Sequence, residues 1–167
     1  GYGRESQSVA FAASPTGCDL LNSYIEYDRY GRPARTWSPI SRMNADARPA
    51  THNGIRTLSE SFYCDSLANV YTEYAADMSG KTARQFGPGQ DWQSVGKGIE
   101  FQYGSLVTRK FSVGGTRQNP ILIDEGSHSP GDLYVVTETD EDGNPVSNYT
   151  DKHGHTICTQ NSAGSTH

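Results

Sequence analysis

The chain is poor in three things: long apolar runs, basic charge and cysteine. Apolar residues make up 34% of its 167 residues, and no run approaches the length of a membrane-crossing helix. Lys and Arg number 14 against 19 Asp and Glu, and the formal net charge of −5 argues against a protein that coats nucleic acid or an anionic membrane. A locally cationic site can still process RNA in an acidic protein, so the charge alone leaves a nuclease open. Cys18, Cys64 and Cys158 lie far apart and form no Cys-x-x-Cys pair, which removes zinc-ribbon and thioredoxin-type readings. Two of them flank the central region, a placement suited to a Cys18–Cys158 disulfide with Cys64 left over; three reduced cysteines are the alternative.

What is abundant points to turns and strands. There are 18 glycines, 8 prolines and 10 tyrosines, with many Ser, Thr and Asn. The length suits one domain. Few lysines and the sequon Asn148-Tyr149-Thr150 favour a secreted or extracellular protein, with delivery into a target cell as an extension of that reading.

Residues 1–16 read as a flexible N-terminus, and Leu20 to Trp37 as a hairpin turning at Asp28 to Pro33. Ser38 to Gly54 reads as loop. Thr57-Leu58-Ser59-Glu60 has the form of a capping box, and Tyr63, Leu67, Val70, Tyr71, Tyr74 and Met78 follow at helical spacing up to Gly80. The pattern predicts one main helix over about 57–79, with Cys64 beside its buried stripe. Lys81 to Lys97 reads as a Gly-rich connector. Strands follow at Gly98 to Tyr103, Leu106 to Val113, Pro120 to Ile123, Leu133 to Thr139 and Val146 to Thr150, and 159–167 as a flexible tail. The expected fold is α+β: an N-terminal hairpin, then one main helix packed on a twisted antiparallel sheet in a single domain over 17–158. No internal repeat is read from the sequence.

Chemistry-bearing residues cluster late. His153 and His155 are two apart beside Asp151 and Lys152, and in an extended segment they share a side. They could meet a metal together with Asp124, Glu125 or His128, but no fixed ligand spacing supports it, and a solvated polar loop is the plainer reading. No cofactor is expected. Arg109, Lys110 and Arg117 form the one cationic group near a prospective cleft, and a solvated sheet edge is the plainer reading of them. Gly87-Pro88-Gly89 and Gly96-x-Gly98 lack the strand–loop–helix context of a phosphate cradle.

Two resemblances add to this. Tyr27-Asp28-x-x-Gly31-Arg32 resembles the kernel of the YD repeats found in bacterial Rhs-type toxins. The expected order of elements resembles that of microbial guanyl-specific ribonucleases and fungal ribotoxins. Locally, Gly98-Ile99-Glu100-Phe101, Pro120-Ile121-Leu122, Ser129-Pro130-Gly131-Asp132-x-x-Val135-Val136 and Asp151-Lys152-His153-Gly154 carry that likeness, which spans roughly 57–158 and closes at Cys158.

That family's chemistry needs a carboxylate base, a histidine acid and an arginine on one sheet face. Here Gln118 stands where the resemblance asks for glutamate, Asp132 and Leu133 where it asks for arginine, and only His153 falls near the histidine. The resemblance therefore implies a secreted ribonuclease-like effector that binds RNA or a target protein without cleaving RNA. Gln118, Asp132, Tyr103, Arg109 and Lys152 would line its binding face. If activity survives, His153, Glu100 and Arg117 would carry it, in a toxin domain with an antidote protein. A third reading is a structural or adhesion module whose tyrosines form a contact face. No membrane partner is expected.

Overall fold

The computed structural model describes residues 3–42, 48–77, 79–105 and 109–161. Among them the chain forms twelve strands, all paired antiparallel, and two short helices. The α+β expectation is therefore corrected: the protein is predominantly β, with no main helix. It divides into two compact units, residues 1–99 and 100–167.

The first unit runs β1 (Gln7–Ala10), β2 (Leu20–Tyr27), β3 (Pro33–Trp37), β4 (Ile40–Ser41), α1 (His52–Tyr63), β5 (Asn69–Tyr74), β6 (Thr82–Phe86) and α2 (Gln90–Ser94). Its strands lie in the order β1-β2-β3-β5-β6, with β4 added to β2. The hairpin read from Leu20 to Trp37 is β2–β3. β1 occupies part of the expected flexible N-terminus, and β6 and α2 occupy the expected Gly-rich connector. The core is small: Leu21, Trp37, Ile40 and Ile55 are buried together, with Val9, Tyr24, Ala50 and Leu58 against them. Each fully buried aliphatic side chain contributes about 1.5–3 kcal/mol. The indole N–H of Trp37 donates to Glu26 at 2.9 Å, so its polar edge is satisfied as its rings are buried.

The helix differs most from expectation. It starts early, where the Thr51 hydroxyl accepts the Gly54 N–H at 3.1 Å, and it stops at Cys64, whose φ of 55° is left-handed. Thr57 is inside α1 and turns its hydroxyl back to the Asn53 carbonyl, so it caps nothing. Cys64 is exposed rather than core. Beyond it, Asn69-Val-Tyr-Thr-Glu-Tyr74 pairs as β5 between β3 and β6. β-Branched and aromatic residues at alternate positions favour the strand there. Met78, the last member of the expected stripe, lies outside the described residues.

The second unit is entered through β7 (Ile99–Ser105) and continues with β8 (Arg109–Thr116), β9 (Asn119–Ser127), β10 (Leu133–Thr139), β11 (Pro145–Asp151) and β12 (Thr156–Asn161). Glu100 to Ser105 pair with β10, and the order is β7-β10-β11-β12. β8 and β9 form a separate two-stranded sheet. Leu133 at the start of β10 is buried. Thr159 to Asn161, expected in the flexible tail, are part of β12; residues 162–167 lie outside the described ones. No described helix is long and apolar enough to cross a membrane.

Candidate functional site

Three hairpins, one in the first unit and two in the second, turn on the same five-residue device. In each, an Asp at the first position exchanges backbone bonds across a three-residue loop ending in glycine. The Asp N–H donates to the carbonyl four residues on: Asp28 to Arg32 at 2.9 Å, Asp140 to Asn144 at 3.1 Å, Asp151 to His155 at 2.9 Å. The glycine N–H donates back to the Asp carbonyl at 2.9–3.0 Å from Gly31, Gly143 and Gly154, all at φ between 76° and 87°. That left-handed position after a tight turn is where glycine is least strained.

The carboxylates repeat as closely as the backbone. Oδ1 accepts the N–H two residues on (Tyr30, Asp142, His153; 2.8–3.0 Å) and four residues on (Arg32, Asn144, His155; 2.8–2.9 Å). Oδ2 faces the side chain at the fifth position: Arg32 Nε at 2.7 Å, Asn144 Nδ2 at 3.0 Å, His155 Nδ1 at 3.0 Å. Asp77 starts a looser fourth version. Its carboxylate accepts from the Ser79 N–H and hydroxyl, Gly80 has φ 72°, and the closing bond runs from Ala75 to Lys81 at 2.8 Å.

These bonds decide what the aspartates do chemically. At Asp28 desolvation pushes the carboxyl pKa up, but the Arg32 and Tyr30 hydrogen bonds outweigh it and hold it low. The Asn144 amide is the main cause of lowering at Asp140, and the His155 backbone N–H at Asp151. A carboxylate held low is a fixed acceptor and a poor proton carrier near neutral pH. The turns are built for geometry.

Around the first turn, arginines lie on tyrosine faces. The Arg32 guanidinium is 4.1 Å from the Tyr74 ring centre and 5.1 Å from that of Tyr30, and Arg29 is 4.7 Å from Tyr30. An open cavity of about 650 Å3 lies there, lined by these residues with Asp28 and Asp77. Deeper in the sheet, direct strand register places Glu26, Arg35, Tyr71 and Phe86 in one row. Arg35 is 4.1 Å from the Tyr71 ring centre, and Tyr71 stacks on Phe86 at 5.7 Å. Arg on aromatic faces is typical of protein contact surfaces, with the guanidinium charge already compensated.

The residues expected to act together are not brought together. Glu100 pairs with Thr139 at one end of β10, and Leu133 pairs with Asp151, beside His153, at the other. Six residue-to-residue steps of strand separate the two ends, about 20 Å at ~3.4 Å per step. Arg117 and Gln118 form the tip of the β8–β9 hairpin, beyond the Thr116–Asn119 pair. Asp132 accepts the Ser129 N–H at 3.0 Å and closes a local turn.

The remaining residues have local partners as well. Arg109 is engaged by Asp124 at 2.7 Å, and Lys110 by Glu125 at 3.1 Å. Tyr103 lies mid-strand opposite Val136, its phenol pKa pushed up by burial and by the Glu138 carboxylate. Lys152 and His153 are exposed turn residues. Among the described residues no group of three or more His, Cys, Asp or Glu is placed to hold a metal, so His153 and His155 share none with Asp124, Glu125 or His128. No disulfide is seen between Cys18 and Cys158 in this structure. Cys158 is on an exposed strand opposite Tyr149, and Cys18 is in a turn where its N–H donates to the Ser14 hydroxyl.

The repeated turn is the feature the sequence reading passed over. Its signal was the recurrence of Asp-x-x-Gly at 28, 77, 140 and 151. No curated protein and no solved structure matches the chain. Residues 1–105, covering the first unit and β7, match the family described as a domain of unknown function, DUF6443, and the chain belongs to that family.

Proposed function

We propose that the chain is a non-catalytic β-hairpin module of a larger secreted, toxin-type protein, supplying scaffold and a protein contact face rather than a reaction centre. The observation that carries this reading is the threefold recurrence of one hairpin turn, down to the side-chain bond at its fifth position. The first copy is the Tyr27-Asp28-x-x-Gly31-Arg32 segment whose likeness to YD repeats is visible in the sequence. Successive equal hairpins extend a sheet strand by strand, as repeat architectures do. The Arg29, Tyr30, Arg32 and Tyr74 surface supports protein contact. The scattering of Glu100, Arg117 and His153 supports the absence of ribonuclease chemistry.

Two experiments test the parts separately. Replacing Asp140–Asn144 by the Asp28–Arg32 sequence leaves the urea midpoint unchanged if the turns are copies of one unit, and lowers it if their likeness is fortuitous. Incubation with RNA yields no 2′,3′-cyclic phosphate ends, and cytosolic expression leaves growth unaffected. Cleavage or growth arrest that His153→Ala abolishes would overturn the non-catalytic reading.

A further inference from the structure

The β8–β9 sheet stands apart from the other strands in what it exposes. Phe111, Val113, Ile121, Leu122 and Ile123 are each between 46% and 76% exposed. Register pairs Phe111 with Asp124, Val113 with Leu122 and Gly114 with Ile121. Side chains alternate along each strand, so Phe111, Val113 and Leu122 share one face and Ile121 and Ile123 the other. A two-stranded hairpin is marginal in water unless a face is covered, and this one is apolar on both.

A bilayer does not fit it. The apolar stretch from Phe111 to Gly115 is about 17 Å long, against the ~30 Å of a hydrocarbon core. Ion pairs Arg109–Asp124 and Lys110–Glu125 stand at one end and Arg117 at the other. The two outer edges also differ. β9 carries Pro120, which has no N–H, together with the acids Asp124 and Glu125. Every residue of β8 has an N–H.

We propose that β8 is a dimerisation edge: two copies of the chain pair β8 to β8 antiparallel, making a four-stranded sheet β9-β8-β8-β9. A two-fold axis perpendicular to the sheet keeps each side chain on its own face, so one residue must oppose itself. Centring on Ser112 places Phe111 opposite Val113, an aromatic–β-branched pair, and places Arg109 and Lys110 opposite Gly115 and Gly114, so no like charges meet. Centring one residue later, on Val113, would set Arg109 against Arg117. The Ser112 register also uses the strand from Arg109 to Gly115 in full, and it raises the sheet from two strands to four, past the size at which a sheet is marginal. Nothing in this rests on the hairpin-module reading.

Sedimentation equilibrium over a concentration series tests it, with far-UV circular dichroism as the control for folding. Wild type is a dimer, and Val113→Lys weakens the dimer about tenfold or more, because each copy then sets an ammonium against Phe111 of the other in place of the aromatic–β-branched pair. Val113 is 76% exposed, so the spectrum stays unchanged. With Cys18, Cys64 and Cys158 replaced by Ser, Ser112→Cys crosslinks under oxidised glutathione faster than the exposed control Asp142→Cys. A monomer at every concentration overturns the proposal, whether or not the hairpin then binds lipid vesicles. So does crosslinking at Ser112→Cys no faster than at the control.

Discussion

Gly143→Ala and Gly154→Ala isolate the cost of the repeated turn. Both glycines are left-handed, at φ 87° and 84°, and a Cβ at either would meet no atom within 4 Å. Steric clash with neighbours is thus removed from the comparison, and only backbone strain remains. The left-handed conformation costs an L-residue about 1–2 kcal/mol, while the loss of glycine's freedom in the unfolded chain returns about 0.4–1 kcal/mol. The net expectation is about 1 kcal/mol at each position. With a urea m-value of about 2 kcal/mol/M, each midpoint falls by ~0.5 M, followed by far-UV circular dichroism. Gly→Asn at the same positions costs less, because Asn tolerates this region better than Ala. Gly87→Ala is the control, since Gly87 has neither a left-handed φ nor an atom within 4 Å, and Ala there is neutral or stabilising. If Ala at 143 and 154 proves as harmless as at 87, the turn does not depend on its glycine and the reasoning fails.

Acid sensitivity follows from the turn aspartates. Asp28, Asp140 and Asp151 are held below the ordinary 3.8, so they stabilise the fold above that value and lose their effect as pH falls through their folded values. The urea midpoint is therefore flat above about pH 5 and declines below about pH 4, less steeply in Asp140→Asn. Ile55→Ala, at a site with no exposed surface, costs about 2–5 kcal/mol, read by the fluorescence of Trp37 packed in the same cluster. Alkylation under denaturing conditions without reductant adds three labels, and in the native state the exposed Cys64 and Cys158 react before the half-buried Cys18. Reaction at one thiol only would restore the disulfide.

Much of the strand content was legible, because Tyr24, Ile25 and Tyr27 or Tyr134, Val135 and Val136 carry β-propensity up to obvious turn residues. The helix was not. Tyr63, Leu67, Val70, Tyr71 and Tyr74 satisfy helical spacing, but from Val70 onward the same letters alternate, and β-branching, not periodicity, decides between the two. Tertiary pairing of Tyr71 with Arg35 and Phe86 then secures the strand. The repeated turn stayed hidden because its fifth residue changes chemistry each time. A guanidinium, an amide and an imidazole face the same carboxylate oxygen. The candidate centre dissolved for a geometric reason: Glu100 and His153, expected to act together, lie toward opposite ends of β10 once register is fixed.

Those turns also bear on how the chain reaches its fold. Every bond that closes them spans five residues or fewer, so β2–β3, β10–β11 and β11–β12 can each form without waiting for a distant partner. Isolated hairpins close in about 1–10 μs, whereas sheets joined by remote segments take milliseconds or longer. The pairing of β7 with β10 must bring together strands separated by the whole β8–β9 excursion, and its loop-closure entropy makes it the slow step of the second unit. Refolding of that unit is therefore paced by β7 finding β10, with the β10–β11–β12 meander already zipped.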